Sequence, residues 1–174
     1  MPHASVNGIN IFYEIIGEDD NPILVMTHGL GGHGRAYENL IPEFTKGYRL
    51  LLWDMRGHGQ SDRPKAGAGV YTRSQHASDL AGLLDSLSIQ KAHIHGHSLG
   101  GLVAQQFVIS YPEKTASLII QDSSAEIKKE YVDGWGDRIQ NVIDMGLEGM
   151  PVDYTRGWGK KFSDANKEYI DARH

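Results

Sequence analysis

Four short apolar runs, each separated from the next by turn signals or a helical pattern, constrain the architecture of this chain more tightly than any other feature. Ile23–Thr27 (ILVMT), Tyr48–Trp53 (YRLLLW), Lys91–His95 (KAHIH) and Ala116–Gln121 (ASLIIQ) read as buried strands. An earlier run, Ile9–Glu14 (INIFYE), reads as an antiparallel strand. Between the second and third of the four, Leu80, Ala81, Leu83, Leu84 and Leu87 recur at helical spacing. After the third, Leu102, Val103, Gln106, Phe107 and Ile109 do the same until Tyr111-Pro112 stops the helix. Strands alternating with helices predict an α/β fold, a mainly parallel sheet with helices on both faces. In such sheets chemistry collects in the loops beyond the strand C-termini. Three glycine-rich segments stand at those places here.

Composition narrows the function classes. The 174 residues contain no Cys, which removes disulfides, thiolate metal ligands and a cysteine nucleophile together. A reducing, cytoplasmic setting is the expectation. With 17 Lys+Arg against 22 Asp+Glu, the net charge of −5 argues against a nucleic-acid partner. No apolar run approaches the ~18 residues of a membrane helix, and Met1–Ser5 lacks the features of a signal peptide. No membrane partner is expected. Texture changes near Ser124. Residues 1–124 are about one-sixth charged and read as a core-forming body, whereas residues 125–174 are more than one-third charged and read as a surface-heavy helical segment.

Of the three segments, Gly96-His97-Ser98-Leu99-Gly100-Gly101 is the sharpest, lying between a strand and the helix it opens. A tight strand-to-helix turn forces its central residue into a strained conformation, with Gly two positions to either side to avoid clashes. Ser98 Oγ then stands exposed at a helix N-terminus, which favours developing negative charge. The plainer alternative is a βα turn whose Ser caps the helix. His28-Gly29-Leu30-Gly31-Gly32 follows the first of the four strands, and its small residues let backbone N–H groups approach an oxyanion. Asp54-Met55-Arg56-Gly57-His58-Gly59-Gln60-Ser61-Asp62 follows the second and reads as a structural turn with an internal Asp–Arg pair. His93, His95 and His97 alternate, which invites a metal reading. His97 belongs to the turn and no carboxylate follows at useful spacing, so these read as packing or surface histidines.

In order and placement, an HG loop, D-x-R-G-H-G-x-S-D and G-H-S-x-G-G together resemble the α/β-hydrolase family across roughly residues 5–124. The resemblance implies a sheet of that type, cut off after its sixth strand, with residues 125–174 forming part of a helical cap. It implies Ser98 as nucleophile and the backbone N–H groups of Leu30 and Leu99 as the oxyanion hole. The Arg56–Asp62 loop becomes scaffold. Ser at the turn differs from the dehalogenase and epoxide-hydrolase branches, which place Asp there. The implied activity is cleavage of a small ester or lactone through an acyl-enzyme, without metal or organic cofactor, most like carboxylesterases and enol-lactonases.

Serine needs a base, and in this family the order is Ser, then acid, then His. His174 is the only histidine after Ser98, ends the charged tail, and is not read as that base. Asp122, just after the fourth strand, is the candidate acid, with a structural turn residue as the alternative. An unfinished sheet would leave Ala116–Gln121 as an exposed apolar edge. A complementing C-terminal fragment or a second copy of the chain is therefore the expected partner. The rival reading is a non-catalytic, hydrolase-like module that binds a ligand or partner.

Overall fold

The computed structural model describes residues 2–126 and 135–145. The chain forms two compact units, residues 1–125 and 126–174. In the first, six strands form one sheet in the order β1-β2-β4-β3-β5-β6. These are β1 (His3–Val6), β2 (Ile9–Ile16), β3 (Ile23–Thr27), β4 (Arg49–Trp53), β5 (Ala92–His97) and β6 (Thr115–Gln121). The hairpin β1–β2 and the pair β2–β4 are antiparallel, while β4–β3–β5–β6 run parallel. The short helix α1 (Ile41–Phe44) follows a 3-10 segment, Gly34–Leu40, and α2 (Arg73–Ser86) and α3 (Leu99–Ser110) are the two long crossover helices. The second unit contributes α4 (Trp135–Met145).

The period-2 alternation of the strands divides the apolar residues between two faces. Val25, Leu51, Trp53 and Ile94 share one core with Leu80, Leu83 and Leu84 of α2 and Val103, Ala104 and Phe107 of α3. Leu24, Met26, Leu50 and Leu52 form the other with Tyr37, and Ile41 and Phe44 of α1 pack against it. Helices therefore cover both faces, as the alternating pattern predicts. Thr72 caps α2 by accepting from the Gln75 N–H, and α3 ends at Ser110 before Pro112.

One strand is not legible in the sequence, and one is left at an edge. β1 carries too few apolar residues to be recognised alone; it forms because Ala4 and Val6 join the core and pair with β2. Among the described residues β6 lies at the sheet edge, with Ile119 and Ile120 each 45% exposed; its apolar run alone reads as buried, and the exposed apolar edge is the one expected of an unfinished sheet. Periodicity reports the apolar character of a strand and not whether a neighbour exists to cover it. The cap reading of residues 125–174 falls largely outside the described residues, as does His174.

Candidate active site

At the C-terminal end of β5 the backbone turns abruptly into α3. Ser98 sits at the junction with φ +52° and ψ −116°, a conformation that costs a non-glycine residue on the order of 1–3 kcal/mol. Its side chain makes no capping bond to the helix, so the plain N-cap reading fails and the hydroxyl stays exposed. The flanking glycines explain how the turn closes. A Cβ on Gly96 would meet the Gly100 carbonyl oxygen at 2.2 Å, and one on Gly100 would meet the Thr27 oxygen at 2.2 Å. The strand, the turn and the end of β3 thus approach at backbone contact distance.

The loop after β3 lies directly against this turn. A Cβ on Gly29 would be 3.3 Å from Ser98 Cβ and 3.1 Å from His97 Nδ1. The turn closes through Gly32 N–H donating to the Gly29 oxygen at 3.1 Å, and Gly31 adopts φ +73°. His28 fastens it from below. Its Nδ1–H donates to the Gly29 oxygen at 2.8 Å, and its Nε2 accepts from Met55 N–H at 3.1 Å. The second bond requires an unprotonated Nε2, which fixes the neutral tautomer. Burial is the main cause of a pKa lowered from 6.5 to about 4, against a smaller opposing contribution from the Gly29 bond. Both ring nitrogens are committed, so His28 clamps the loop to the end of β4. In the sequence alone His28 has no assigned task; its place directly before Gly29 is the signal that marks it.

The segment after β4 differs in detail from expectation. Arg56 does not pair with Asp54 inside its own turn. Its Nε and Nη2 reach the Asp79 carboxylate on α2 at 2.5 and 2.7 Å, and both residues are buried. Asp54 instead accepts Gly34 N–H at 2.7 Å and Gln60 N–H at 2.8 Å. A pair two residues apart in one tight turn cannot match a fork aimed at a neighbouring helix. Ser61 and Asp62 bind β2 through Phe12 N–H and Asn10 N–H. These bonds hold the segment as scaffold beside the turn.

Asp122 follows β6 with φ +45°. Its carboxylate is 79% exposed and stands 4.0 Å from His97 Nε2. Ser123 turns back and donates to the Ser98 carbonyl oxygen at 2.7 Å, a contact the sequence did not suggest. His93 and His95 share one sheet face and are used in packing. His93 Nδ1 lies 2.8 Å from the Ser117 hydroxyl with its ring edge-on to Tyr48, and His95 Nε2 donates to Gln121 Oε1 at 3.0 Å beside Tyr37. Among the described residues no group of three His, Asp or Glu is placed to hold a metal ion, and no helix is long and apolar enough to cross a membrane.

Residues 22–143 match the family model described as the alpha/beta hydrolase fold. The chain belongs to that family. 3-Oxoadipate enol-lactonase 2 of Acinetobacter baylyi is 33% identical over 146 residues, which cover 84% of this chain and 53% of the relative. Epoxide hydrolase 4 of Mus musculus is 32% identical over 114 residues, 66% of this chain and 32% of the relative. Among solved structures, the enol-lactonase of Burkholderia xenovorans superposes with a TM-score of 0.88 at 27% identity, covering 98% of this chain and 65% of that one. The chain spans about half the length of the curated relatives it matches. In this α/β hydrolase, Ser98, the Gly29–Leu30 loop and Asp122 converge at one end of the sheet because β3, β5 and β6 are parallel neighbours. Leu99 opens α3 there with an N–H that has no acceptor within the helix. Leu30 caps the loop with a side chain 57% exposed.

Proposed function

We propose that this chain carries the nucleophilic half of a serine hydrolase that cleaves a small ester or lactone. The observation that carries the reading is Ser98 itself: strained at φ +52°, exposed, and free of any capping bond at the mouth of a helix. The strain holds Oγ away from the helix amides it would otherwise cap, leaving it to attack a carbonyl. As Ser98 loses its proton to a histidine base, the carbonyl oxygen gains negative charge against the Leu30 and Leu99 N–H groups and the N-terminus of α3. Collapse expels the alcohol oxygen, which takes that proton and, in a lactone, stays tethered to the acyl group. Water then releases the acid and restores Ser98.

Among the described residues no histidine is hydrogen-bonded to the Ser98 hydroxyl: His28 spends both ring nitrogens on the backbone, His93 turns to Ser117 and His95 to Gln121. The base therefore comes from outside the described residues, on a further segment or a second chain that also pairs with the open edge of β6. Asp122, at the same end of the sheet as Ser98, is the proposed acid. The resemblance to enol-lactonases favours a lactone or small ester over an epoxide, as does serine rather than aspartate at the turn. No cofactor is required by this chemistry.

An intact mass after incubation with a fluorophosphonate tests the reading. With the segment or second chain that supplies the base present, the 19.3 kDa chain should gain one adduct that is lost in Ser98→Ala. A chain that gains none would favour the rival reading, a hydrolase-like module that binds a ligand without turnover.

A further inference from the structure

We propose that Ser123 is a positioning residue for the oxyanion-binding peptide of the Ser98 turn. The inference rests on the serine-hydrolase reading above. The peptide unit joining Ser98 to Leu99 carries the Ser98 carbonyl at one end and the proposed oxyanion donor, the Leu99 N–H, at the other. Because that unit is planar, whatever fixes the carbonyl also aims the N–H.

Three donors reach the Ser98 carbonyl oxygen. Two belong to its own helix, Gly101 N–H at 2.9 Å and Leu102 N–H at 3.3 Å. The third and shortest is the Ser123 hydroxyl, 2.7 Å away and from a different element. Its approach depends on two special backbone positions. Asp122, at φ +45°, reverses the chain directly after β6. Gly101 leaves the space that Ser123 occupies, since a Cβ there would lie 2.4 Å from Ser123 Cβ and 2.5 Å from its Oγ. The last residue of β6 grips the other flank of the nucleophile, with the Gln121 oxygen accepting from Ser98 N–H at 3.0 Å. The end of β6 therefore holds the strained serine on both sides.

A hydroxyl donating to the carbonyl does more than close a turn. It polarises the amide, and hydrogen bonds in such a chain strengthen one another. Ser123 thus sets both the direction and the donor strength of the Leu99 N–H, without touching substrate.

The test compares the intact chain with Ser123→Ala, each with the segment or second chain that supplies the base, following the rate of fluorophosphonate adduct formation at Ser98 over a range of reagent concentrations. Losing a direct oxyanion donor costs about 10²–10³ in rate, so an indirect one should cost on the order of tenfold. The loss should fall on the maximal rate and leave the half-saturating concentration unchanged. The Leu99 amide proton, read by ¹⁵N-edited NMR, should move upfield as the carbonyl loses its donor. Ser123→Cys, nearly isosteric with a weaker donor, should slow labelling in the same direction and guards against a folding failure of the alanine variant. A folded variant that labels at the unaltered maximal rate, with the Leu99 proton unmoved, overturns the inference and leaves the hydrolase reading standing. Absence of labelling in the unaltered chain with that base present overturns the hydrolase reading, and the catalytic role of Ser123 falls with it.

Discussion

Lowering the pH from 7 to 4.5 should destabilise this chain steeply, and two buried imidazoles set the slope. His28 is fully buried in its neutral tautomer between Gly29 and Met55, and burial brings its pKa from 6.5 down to about 4. His76, buried on α2 near Arg56 and Asp79, falls to about 4 for the same principal reason. In both, the folded pKa lies below the unfolded one, so the unfolded chain binds the proton first. The stabilising effect is whole above about pH 6.5 and drains away as pH falls toward 4. At 1.36 kcal/mol for each pH unit, the full drop amounts to about 3 kcal/mol per imidazole, a large share of the roughly 5–15 kcal/mol that holds a typical domain together. Urea unfolding at half-unit steps of pH reads this as a falling midpoint. His28→Gln should be less stable at pH 7 by about 1–2 kcal/mol, because the Gly29 oxygen loses its donor. The same variant should show close to half the acid slope. A stability curve flat between pH 6.5 and 4.5, or a slope unchanged by His28→Gln, would refute the account of His28 as a buried neutral clamp.

Other outcomes follow from the same geometry. Gly96→Ala places a Cβ 2.2 Å from the Gly100 oxygen and 2.7 Å from Gly101 N, all backbone atoms, so it should abolish Ser98 labelling and lower the melting temperature sharply. Arg56→Met strands the Asp79 carboxylate, whose other side-chain donors are Asn7 and Gln75; about 3–5 kcal/mol should be lost by urea unfolding. Replacing both as Arg56→Met with Asp79→Leu should recover much of that loss, since the cost lies in the unpaired charge. Asp122→Asn should slow fluorophosphonate labelling by more than tenfold if that carboxylate orients the base, and an unaltered labelling rate would dismiss Asp122 as the acid.

Local pattern carried much of this structure. Short apolar runs locate β3, β4 and β5 to within a residue or two, because a strand buried on both faces needs such a run whatever lies beside it. Helical spacing finds the buried stripe of α2 and the Leu102, Val103 and Phe107 part of that of α3, whereas Ile109 in the same pattern is 76% exposed. Glycines two positions either side of Ser98 announce the strained turn, since no side chain fits where Gly96 meets Gly100. Each of these is a requirement on residues close in sequence.

What local pattern leaves open depends on partners far along the chain. Arg56 could have served Asp54 or Asp79; the choice fell to the helix that docks 23 residues later. His28 looks like any loop histidine until β4 brings Met55 to its second nitrogen. Ser123 is an unremarked serine after a strand until Asp122 reverses the backbone and Gly101 leaves room for it. Composition and spacing determine which segments are strands, helices and strained turns, because those are short-range steric and solvation demands. Which polar groups meet is decided only when the packed sheet brings distant segments within hydrogen-bonding reach.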